Sequence, residues 1–324
     1  MHLAVVDLGS NSFRLERIEV QPDGSFKRIG YWKEKNRLAS GFNAAGKVRK
    51  EIELMIRSDL LRFRELLGGL PVSRVTVVAT QAMRQARETE GFMETLEDAL
   101  GYPIHILSGE EEAVYAYEGA MSTRVCAHGE RNLVIDIGGA STEAAFGVEN
   151  RPLESLSIPV GCVSSSMRYF QDALFSKASY EEALADVSSL FDELAAAYPR
   201  ERYDNVFGVA GTFRAVLDVV HEMQLPSPAA DAITREHVDT IKSILFSIGE
   251  LRKLRVPGLR DERHDVIAGG IVVIEAVMNR LGIDALRFVE GGVRRAALLR
   301  LHHRVLEGLK IDLHAHQRQA GRNA

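Results

Sequence analysis

The sequence predicts an α/β protein with two duplicated domains, each a mixed five-stranded sheet with flanking helices, facing each other across a cleft. An apolar strand that ends in aspartate, an aliphatic residue and glycine occurs twice, at residues 7–9 and 136–138. Both copies are followed by two further predicted strands and then by alternating helices and strands. A chain of 324 residues is also long enough for about two domains.

Composition and charge exclude several classes of protein. With 46% hydrophobic and 26% charged residues the chain has an ordinary globular composition, and its net charge of -5 argues against a dedicated nucleic-acid binder. It has no run of about 18 uncharged apolar residues, and residues 1–5 lead directly into a strand. Cys126 and Cys162 form no disulfide framework or metal spacing. We therefore expect a cytoplasmic protein with no membrane and no nucleic-acid partner.

The elements of the first domain, residues 1–123, follow from apolar periodicity and from turn residues. Pro22, Asp23 and Gly24 form a turn between two strands. The Ser-x-x-Glu pattern that starts at Ser108 is a capping box and predicts the beginning of a helix. The predicted strands are 3–8, 13–20, 26–32, 74–80 and 104–107, and the predicted helices are 47–67, 83–100 and 109–121.

The second domain, residues 124–292, begins with the same three-strand order. Its hairpin turn is predicted at 149–152, and a second capping box at Ser179 and Glu182 predicts another helix. The final helix, 293–309, is expected to pack back on the first domain, and residues 310–324 form a polar tail. The predicted strands are 133–137, 142–148, 153–158, 204–209 and 286–289. The predicted helical regions are 179–194, 234–281 and a helix that follows residues 210–212.

The two Asp-x-Gly turns have the composition of phosphate-binding loops. Gly138 and Gly139 free the backbone to turn tightly and to aim successive N–H groups at one point, which suits a phosphate oxygen. A plain hairpin is the alternative interpretation for one such turn. Because the same pattern recurs after Asp7, we predict two loops that face each other across the cleft.

Several short motifs follow one another in a specific order and spacing. They are residues 7–14, residues 79–80 with Arg84, residues 108–113, 134–143, 159–161, 211–212 and 256–258. Together these motifs resemble those of the Ppx/GppA family of exopolyphosphatases and guanosine pentaphosphate phosphohydrolases, in its short two-domain form. That family belongs to the actin, sugar-kinase and heat-shock ATPase superfamily, so the resemblance implies ribonuclease H-like, actin-like domains.

The resemblance implies roles for four carboxylates. Glu112 matches the general base that activates the attacking water, whereas Glu110 and Glu111 are interpreted as complements of the helix N-terminus. Asp136 matches a second essential carboxylate and is predicted to bind Mg²⁺. Glu143 either holds Mg²⁺ through water or orients the nucleophile. Asp7, the symmetry mate of Asp136, is a further metal ligand or alternatively fixes its own turn.

Phosphate contacts are expected from backbone N–H groups, hydroxyls and arginines. Arg84 matches the substrate arginine of the family, and Arg37 is a weaker candidate. The predicted phosphate-binding residues are Ser10, Asn11, Ser12, Arg14, Arg84, Gly138, Gly139, Ser141, Thr142, Gly211 and Thr212.

Four positions depart from the family pattern. Ala140 replaces a glycine, Val114 an arginine, and Glu88 an asparagine one turn from Arg84. Ala210 follows Val209 where small glycine or serine residues are usual. The departures leave the predicted catalytic carboxylates in place but make substrate preference harder to assign.

The resemblance implies a Mg²⁺-dependent exopolyphosphatase that removes terminal phosphate from polyphosphate, from guanosine pentaphosphate of the stringent response, or from both. We also predict a homodimer. Two alternatives stay open: a non-catalytic or weakly active alarmone-binding regulator, and a kinase of the same fold.

Overall fold

The first of two lobes is built around a five-stranded mixed sheet in the order β3-β2-β1-β4-β5. The computed structural model describes residues 1–320, with side chains for residues 1–308. The elements of this half are β1 (His2–Leu8), β2 (Phe13–Val20), β3 (Phe26–Glu34), α1 (Lys50–Leu67), β4 (Val75–Ala79), α2 (Gln81–Ala86), α3 (Phe92–Leu100), β5 (His105–Ile106) and α4 (Gly109–Met121).

The second lobe contains a six-stranded mixed sheet in the order β10-β11-β9-β6-β7-β8. Its elements are β6 (Arg131–Ile137), β7 (Thr142–Val148), β8 (Arg151–Ile158), α5 (Cys162–Tyr169), α6 (Lys177–Leu190), α7 (Asp192–Ala197), β9 (Asn205–Val209), α8 (Ala210–Glu222), β10 (Ala232–Thr234), α9 (Arg235–Ile248), α10 (Ile267–Leu281), β11 (Ala285–Phe288) and α11 (Val293–Ala320).

Strand pairing repeats between the two lobes. β1 pairs antiparallel with β2 and parallel with β4, while β6 pairs antiparallel with β7 and parallel with β9. In each lobe the aspartate lies near the carboxyl end of the central strand, and Asp136 pairs with Glu143 across β6 and β7. The duplicated α/β architecture predicted from the sequence is therefore confirmed.

The alternation of side chains on β1 and β6 decides which face each aspartate occupies. Because successive side chains of a strand point to opposite faces, Asp7 shares a face with Leu3 and Val5, and Asp136 shares one with Val134. Leu3 and Val5 pack in one apolar cluster with α11, and Val134 packs in another with α4. Both aspartates thus lie on the inner faces of the sheets, at the edge of the interlobe cleft.

The two inner helices are exchanged between the halves of the chain. α4 belongs to the N-terminal half, but Ala113, Ala116 and Ala120 pack with Val134 of the second sheet. α11 follows the second sheet, but its residues 296–298 pack on β1 of the first sheet. Each half of the chain therefore supplies the helix that covers the inner face of the other half's sheet.

Several predicted elements differ from the observed ones. The second sheet has six strands, not five, because β10 pairs with β11. The predicted helix 83–100 is two helices: α2 ends at Ala86, and α3 begins after Gly91, whose φ of 69° is incompatible with a continuous helix. The predicted helical region 234–281 consists of α9 and α10 with an irregular stretch between them. α5 was not predicted.

The ends of three further elements also differ from the prediction. Ser176, not Ser179, caps α6, because its hydroxyl accepts the Ser179 N–H. The hairpin turn is shorter than predicted, since β8 already begins at Arg151. The predicted tail is helical as far as Ala320, consistent with the absence of glycine and proline from 310–320. Residues 321–324 lie outside the described part.

Candidate active site

A cavity of about 580 Å³ lies between the two lobes. The turns after β1, β6 and β9 form its floor, and the segments before α10 and α11 form part of its wall. The predicted site residues that line it are Asp7, Ser10, Asn11, Ser12, Arg14, Glu112, Asp136, Gly138, Gly139, Ser141, Gly211 and Thr212. Arg84, Thr142 and Glu143 lie behind this wall.

The first turn, residues 9–12, is held by bonds to other parts of the first lobe. The Ser10 hydroxyl accepts the Ala82 N–H at 3.2 Å, and the Ser10 carbonyl accepts the Ala39 N–H at 2.9 Å. The buried Ser12 hydroxyl lines the cavity and has no hydrogen-bond partner among the described residues. Ser12 is therefore the hydroxyl of this turn that is available to a ligand.

The second turn, residues 138–141, is held against the start of α5. The Gly138 N–H donates to the Ser141 carbonyl at 2.9 Å, so this N–H is already engaged. The N–H of Cys162 donates to the Gly138 carbonyl at 3.0 Å. A β-carbon on Gly161 would lie 2.6 Å from that carbonyl oxygen, so a glycine is required there. Ala140 does not occupy the left-handed region, so its replacement of a glycine leaves this turn unstrained.

Two of the predicted hydroxyls bond to the backbone. Thr142 is buried, and its hydroxyl donates to the Val160 carbonyl at 2.6 Å. The Thr212 hydroxyl donates to the Ile137 carbonyl at 2.9 Å, at the end of β6. These bonds fix the turns that form the cavity, and Thr142 does not face it.

Glu112 lies in the first turn of α4 and lines the cavity with only 6% of its surface exposed. The predicted capping box of Ser108 and Glu111 is confirmed and fixes this end of the helix. Glu110 and Glu111 are exposed, so only the third glutamate of the run turns inward. The helix thereby presents one carboxylate to the cavity.

Arg84 does not line the cavity and fixes the Glu112 carboxylate by a hydrogen bond. Its Nη1 donates to Glu112 Oε2 at 3.0 Å and to the Leu107 carbonyl at 2.6 Å, and its Nε donates to Gln81 at 2.7 Å. Its Nη2 lies 4.0 Å from Glu143 Oε1. Arg84 thus bridges two buried carboxylates in place of lining the cavity. Glu88 is exposed and pairs with the neighbouring Arg87, and it makes no ion pair with Arg84.

The electrostatics of the acidic residues are dominated by burial. Burial and the neighbouring Glu143 hold the pKa of Glu112 well above its usual range, and Arg84 opposes this. Burial and Asp136 also raise the pKa of Glu143. Burial, together with Asp7, raises the pKa of Asp136 to about 7. For these three carboxylates, burial and mutual repulsion therefore outweigh the attraction of the nearby arginines.

Asp7 is bound by two arginines. Arg14 Nη1 and Arg294 Nη1 both donate to Asp7 Oδ2 at 3.3 Å. Arg14 comes from β2, next to Asp7 in the sheet, whereas Arg294 comes from the first turn of α11. This carboxylate already has two cationic partners, and Asp136 faces the cavity without such a contact.

Several cations of the cavity wall were not predicted from the sequence. Most of these cations form ion pairs. Lys33 Nζ, for example, lies 2.6 Å from Glu262 Oε1, and this ion pair joins the two lobes. Arg263 makes no ion pair with the described residues, and a β-carbon on Gly211 would lie 1.7 Å from its guanidinium. Arg37 pairs with Asp265 and is not part of the wall. The additional cations are Arg28, Lys33, Arg214, Arg260, Arg263 and Arg294.

The carboxylates fit a magnesium ion that is shared with a substrate. Among the described residues no group of three or more His, Cys, Asp or Glu side chains is placed to hold a metal alone. Mg²⁺ commonly uses one or two protein carboxylates and completes its shell with water and phosphate oxygens. Asp136 meets this need at the cavity, and the buried Glu143 Oε2 has no hydrogen-bond partner in the described chain. Asp7 is less available because two arginines occupy it.

One departure from the family pattern affects the backbone of the site. Ala210, which follows β9 directly as the first residue of α8, lines the cavity with a φ of 68°. This left-handed conformation costs an alanine roughly 1–2 kcal/mol. The strain is located at the turn that brings Gly211 to the cavity.

Two mixed sheets with exchanged inner helices and a cleft of paired turns define an actin-like, two-lobed protein. The sequence pattern of the Ppx/GppA phosphatase family matches residues 18–305. The chain belongs to this family.

Two curated relatives cover most of the chain. A guanosine-5'-triphosphate,3'-diphosphate pyrophosphatase of Pseudoalteromonas translucida is 32% identical over 99% of this chain and 65% of its own length. The chain thus spans about two thirds of that relative. A Haemophilus influenzae protein with the provisional name exopolyphosphatase is 30% identical over 92% of this chain and 91% of its own.

Solved structures show the same fold. An Aquifex aeolicus Ppx/GppA protein is 25% identical, with a TM-score of 0.72 over 95% of this chain and 98% of its own. An exopolyphosphatase-like protein is 23% identical, with a TM-score of 0.81 over 94% of this chain and 98% of its own. Among the described residues, no helix has the length and apolar character needed to cross a membrane.

Proposed function

We propose that this protein hydrolyses the terminal phosphoanhydride bond of linear polyphosphate, of guanosine pentaphosphate, or of both. One observation carries the proposal: the buried Glu112 carboxylate reaches a cavity lined by glycine-rich turns and cations. The names of the two curated relatives support the substrate class. The cavity volume of about 580 Å³ is in the range of small-molecule sites, and the assay below ranks the two substrates.

In the proposed reaction, Glu112 accepts a proton from water as the water oxygen bonds to the terminal phosphorus. The bond from that phosphorus to the bridging oxygen breaks, and the shortened chain leaves with the electron pair. A raised pKa makes Glu112 a stronger base, provided that it is ionised. Arg84 favours the ionised form and fixes its orientation through the 3.0 Å hydrogen bond.

The walls of the cavity hold the substrate. Ser12 and the backbone of Gly139 lie at the two facing turns, and Arg14 and Arg263 supply positive charge. Asp136, with Glu143 behind it, would hold Mg²⁺, which neutralises charge on the phosphate oxygens when bound. Burial limits access of bulk water to the carboxylates, so each electrostatic contact acts more strongly than it would in solution.

Phosphate release tests the proposal. Long polyphosphate, tripolyphosphate, guanosine pentaphosphate and ATP are supplied with and without Mg²⁺, to the native protein and to Glu112→Gln. We expect kcat to fall about 10²–10⁴-fold in the variant while substrate binding persists. Glu110→Gln is the matched control, since Glu110 is exposed in the same helical turn. Unchanged turnover in Glu112→Gln would exclude Glu112 as the base.

Two other functions give different results in the same assay. An alarmone-binding regulator binds guanosine pentaphosphate tightly and releases no phosphate. A kinase of this fold consumes ATP only when an acceptor such as a sugar is present. The buried base at the cavity favours hydrolysis over both. A homodimer and a cytoplasmic location remain expectations from the sequence, and light scattering tests the first.

A further inference from the structure

We propose that Arg294, the second residue of α11, binds a substrate phosphate directly and forms a guanidinium pair with Arg14. The inference rests on the proposed function and adds a binding residue that no motif predicted. Both side chains line the cavity. Arg294 lies 280 residues after Arg14 in the chain, and only the return of α11 to the first sheet brings them together.

The backbone before Arg294 is fixed by a tight contact with the helix that carries Glu112. Gly291 and Gly292 adopt φ values of 127° and 93°, which other residues rarely adopt. A β-carbon on Gly119 of α4 would lie only 2.0 Å from the Gly292 carbonyl oxygen. The loop therefore rests directly on α4, so the position of Arg294 is set relative to that of the proposed base.

Most of the hydrogen-bonding capacity of the two guanidinium groups is unused. A guanidinium group has five N–H donors, and each arginine donates only once, from Nη1 to Asp7 Oδ2. The Nε of Arg294 is buried and lies 3.8 Å from Glu16, beyond hydrogen-bonding distance. Its Nη2 bonds to no residue that the structure describes. The side chains of Arg14 and Arg294 are 22% and 27% exposed, against 9% for Asp7. The solvent-facing edge of this cluster is therefore cationic.

The local charges leave an excess of positive charge. Asp7 neutralises one of the two guanidinium groups, and Glu16 is engaged by Arg28 at 2.9 Å. Both arginines act on Asp136, a second carboxylate of the cavity wall, by favouring its charged form. A phosphate placed between the pair and Asp136 would supply the missing negative charge, and guanidinium groups bind phosphate with paired N–H donors.

A purely structural role for Arg294 would be to neutralise Asp7, and binding measurements separate the two roles. Isothermal titration calorimetry with tripolyphosphate is performed on Glu112→Gln, in which turnover is blocked, with and without Mg²⁺. Adding Arg294→Gln should weaken binding about 10- to 100-fold, the effect of a lost charge-assisted hydrogen bond. Adding Arg300→Gln is the control, since Arg300 lies on the same helix and pairs with Glu118.

A triple variant combines Glu112→Gln, Arg294→Gln and Asp7→Asn. The third substitution removes the charge that Arg294 would otherwise neutralise. If Arg294 binds phosphate, the affinity stays low in this triple variant, and Arg294→Lys in the Glu112→Gln background restores part of it. Restored affinity in the triple variant, or an unchanged Kd with Arg294→Gln, would overturn the proposal. If Glu112→Gln itself binds no tripolyphosphate under either condition, the proposed function fails as well, and the two failures are thereby distinguished.

Discussion

Replacing Asp136 with asparagine is expected to stabilise the protein at neutral and alkaline pH. The carboxylate is buried beside Asp7 at the end of β6, and it receives no hydrogen bond from the described residues. Arg14 and Arg294 favour its charged form, but burial outweighs them. The folded protein therefore disfavours ionisation of this group, whereas the unfolded chain does not.

The magnitude follows from the pKa values. The pKa of Asp136 rises from 3.8 to about 7 on folding. Between these values the folded state keeps a proton that the unfolded state loses, so the free energy of unfolding falls as pH rises. Each pH unit contributes about 1.4 kcal/mol, which gives a total of about 4 kcal/mol, reached above pH 7. Asparagine has the same shape and no such dependence. We expect a gain of up to about 4 kcal/mol at pH 8, because the raised pKa already includes the attraction of the arginines.

The difference in free energy of unfolding is measured by urea unfolding, followed by circular dichroism. The measurement covers the range from about pH 5 to 8 and is made without divalent ions. Asp261→Asn is the control, because the Asp261 side chain is fully exposed. The reasoning is refuted if Asp136→Asn is no more stable than the native protein at pH 8, or if the gain does not grow with pH. Added Mg²⁺ should stabilise the native protein and have little effect on the variant.

Two further substitutions test other contacts. Gly119→Ala should destabilise the protein by about 1–3 kcal/mol in urea unfolding, because the new methyl group meets the Gly292 backbone and not a movable side chain. An unchanged midpoint would contradict this. Glu262→Gln releases Lys33, a cation of the cavity wall, for the substrate. Its KM should therefore fall several-fold at low salt and converge with the native value at high salt, and a KM that rises would contradict the proposed competition.

The local sequence pattern predicted the central strands of both sheets, because the residues of each strand are sufficient to indicate it. β1 and β6 are continuous apolar runs that end in aspartate and glycine, and this pattern holds whatever surrounds it. β10 is three residues long and exists because it pairs with β11, so no local pattern could reveal it. α5 was missed because it has only eight residues, three of them consecutive serines, and so is too short to show an apolar period in the sequence.

The same distinction applies to the site. Contiguous motifs gave Ser12, Glu112 and Asp136, which the structure places on one cavity. Arg263 and Arg294 reach it from segments more than 200 residues away from the first turn, so spacing could not indicate them. The two glycines directly before Arg294 could have indicated a further turn at the site, since they repeat the composition of the second turn.

The exchange of inner helices has a consequence for biosynthesis. Leu3 and Val5 leave the ribosome first, but their cover on α11 is translated about 300 residues later. At 5–20 residues per second this interval lasts about 15–60 s. Throughout it the nascent chain lacks the α11 residues that complete this apolar cluster. A truncated product that ends before α11 would keep this cluster incomplete, and it is the form on which chaperones and quality-control proteases would act.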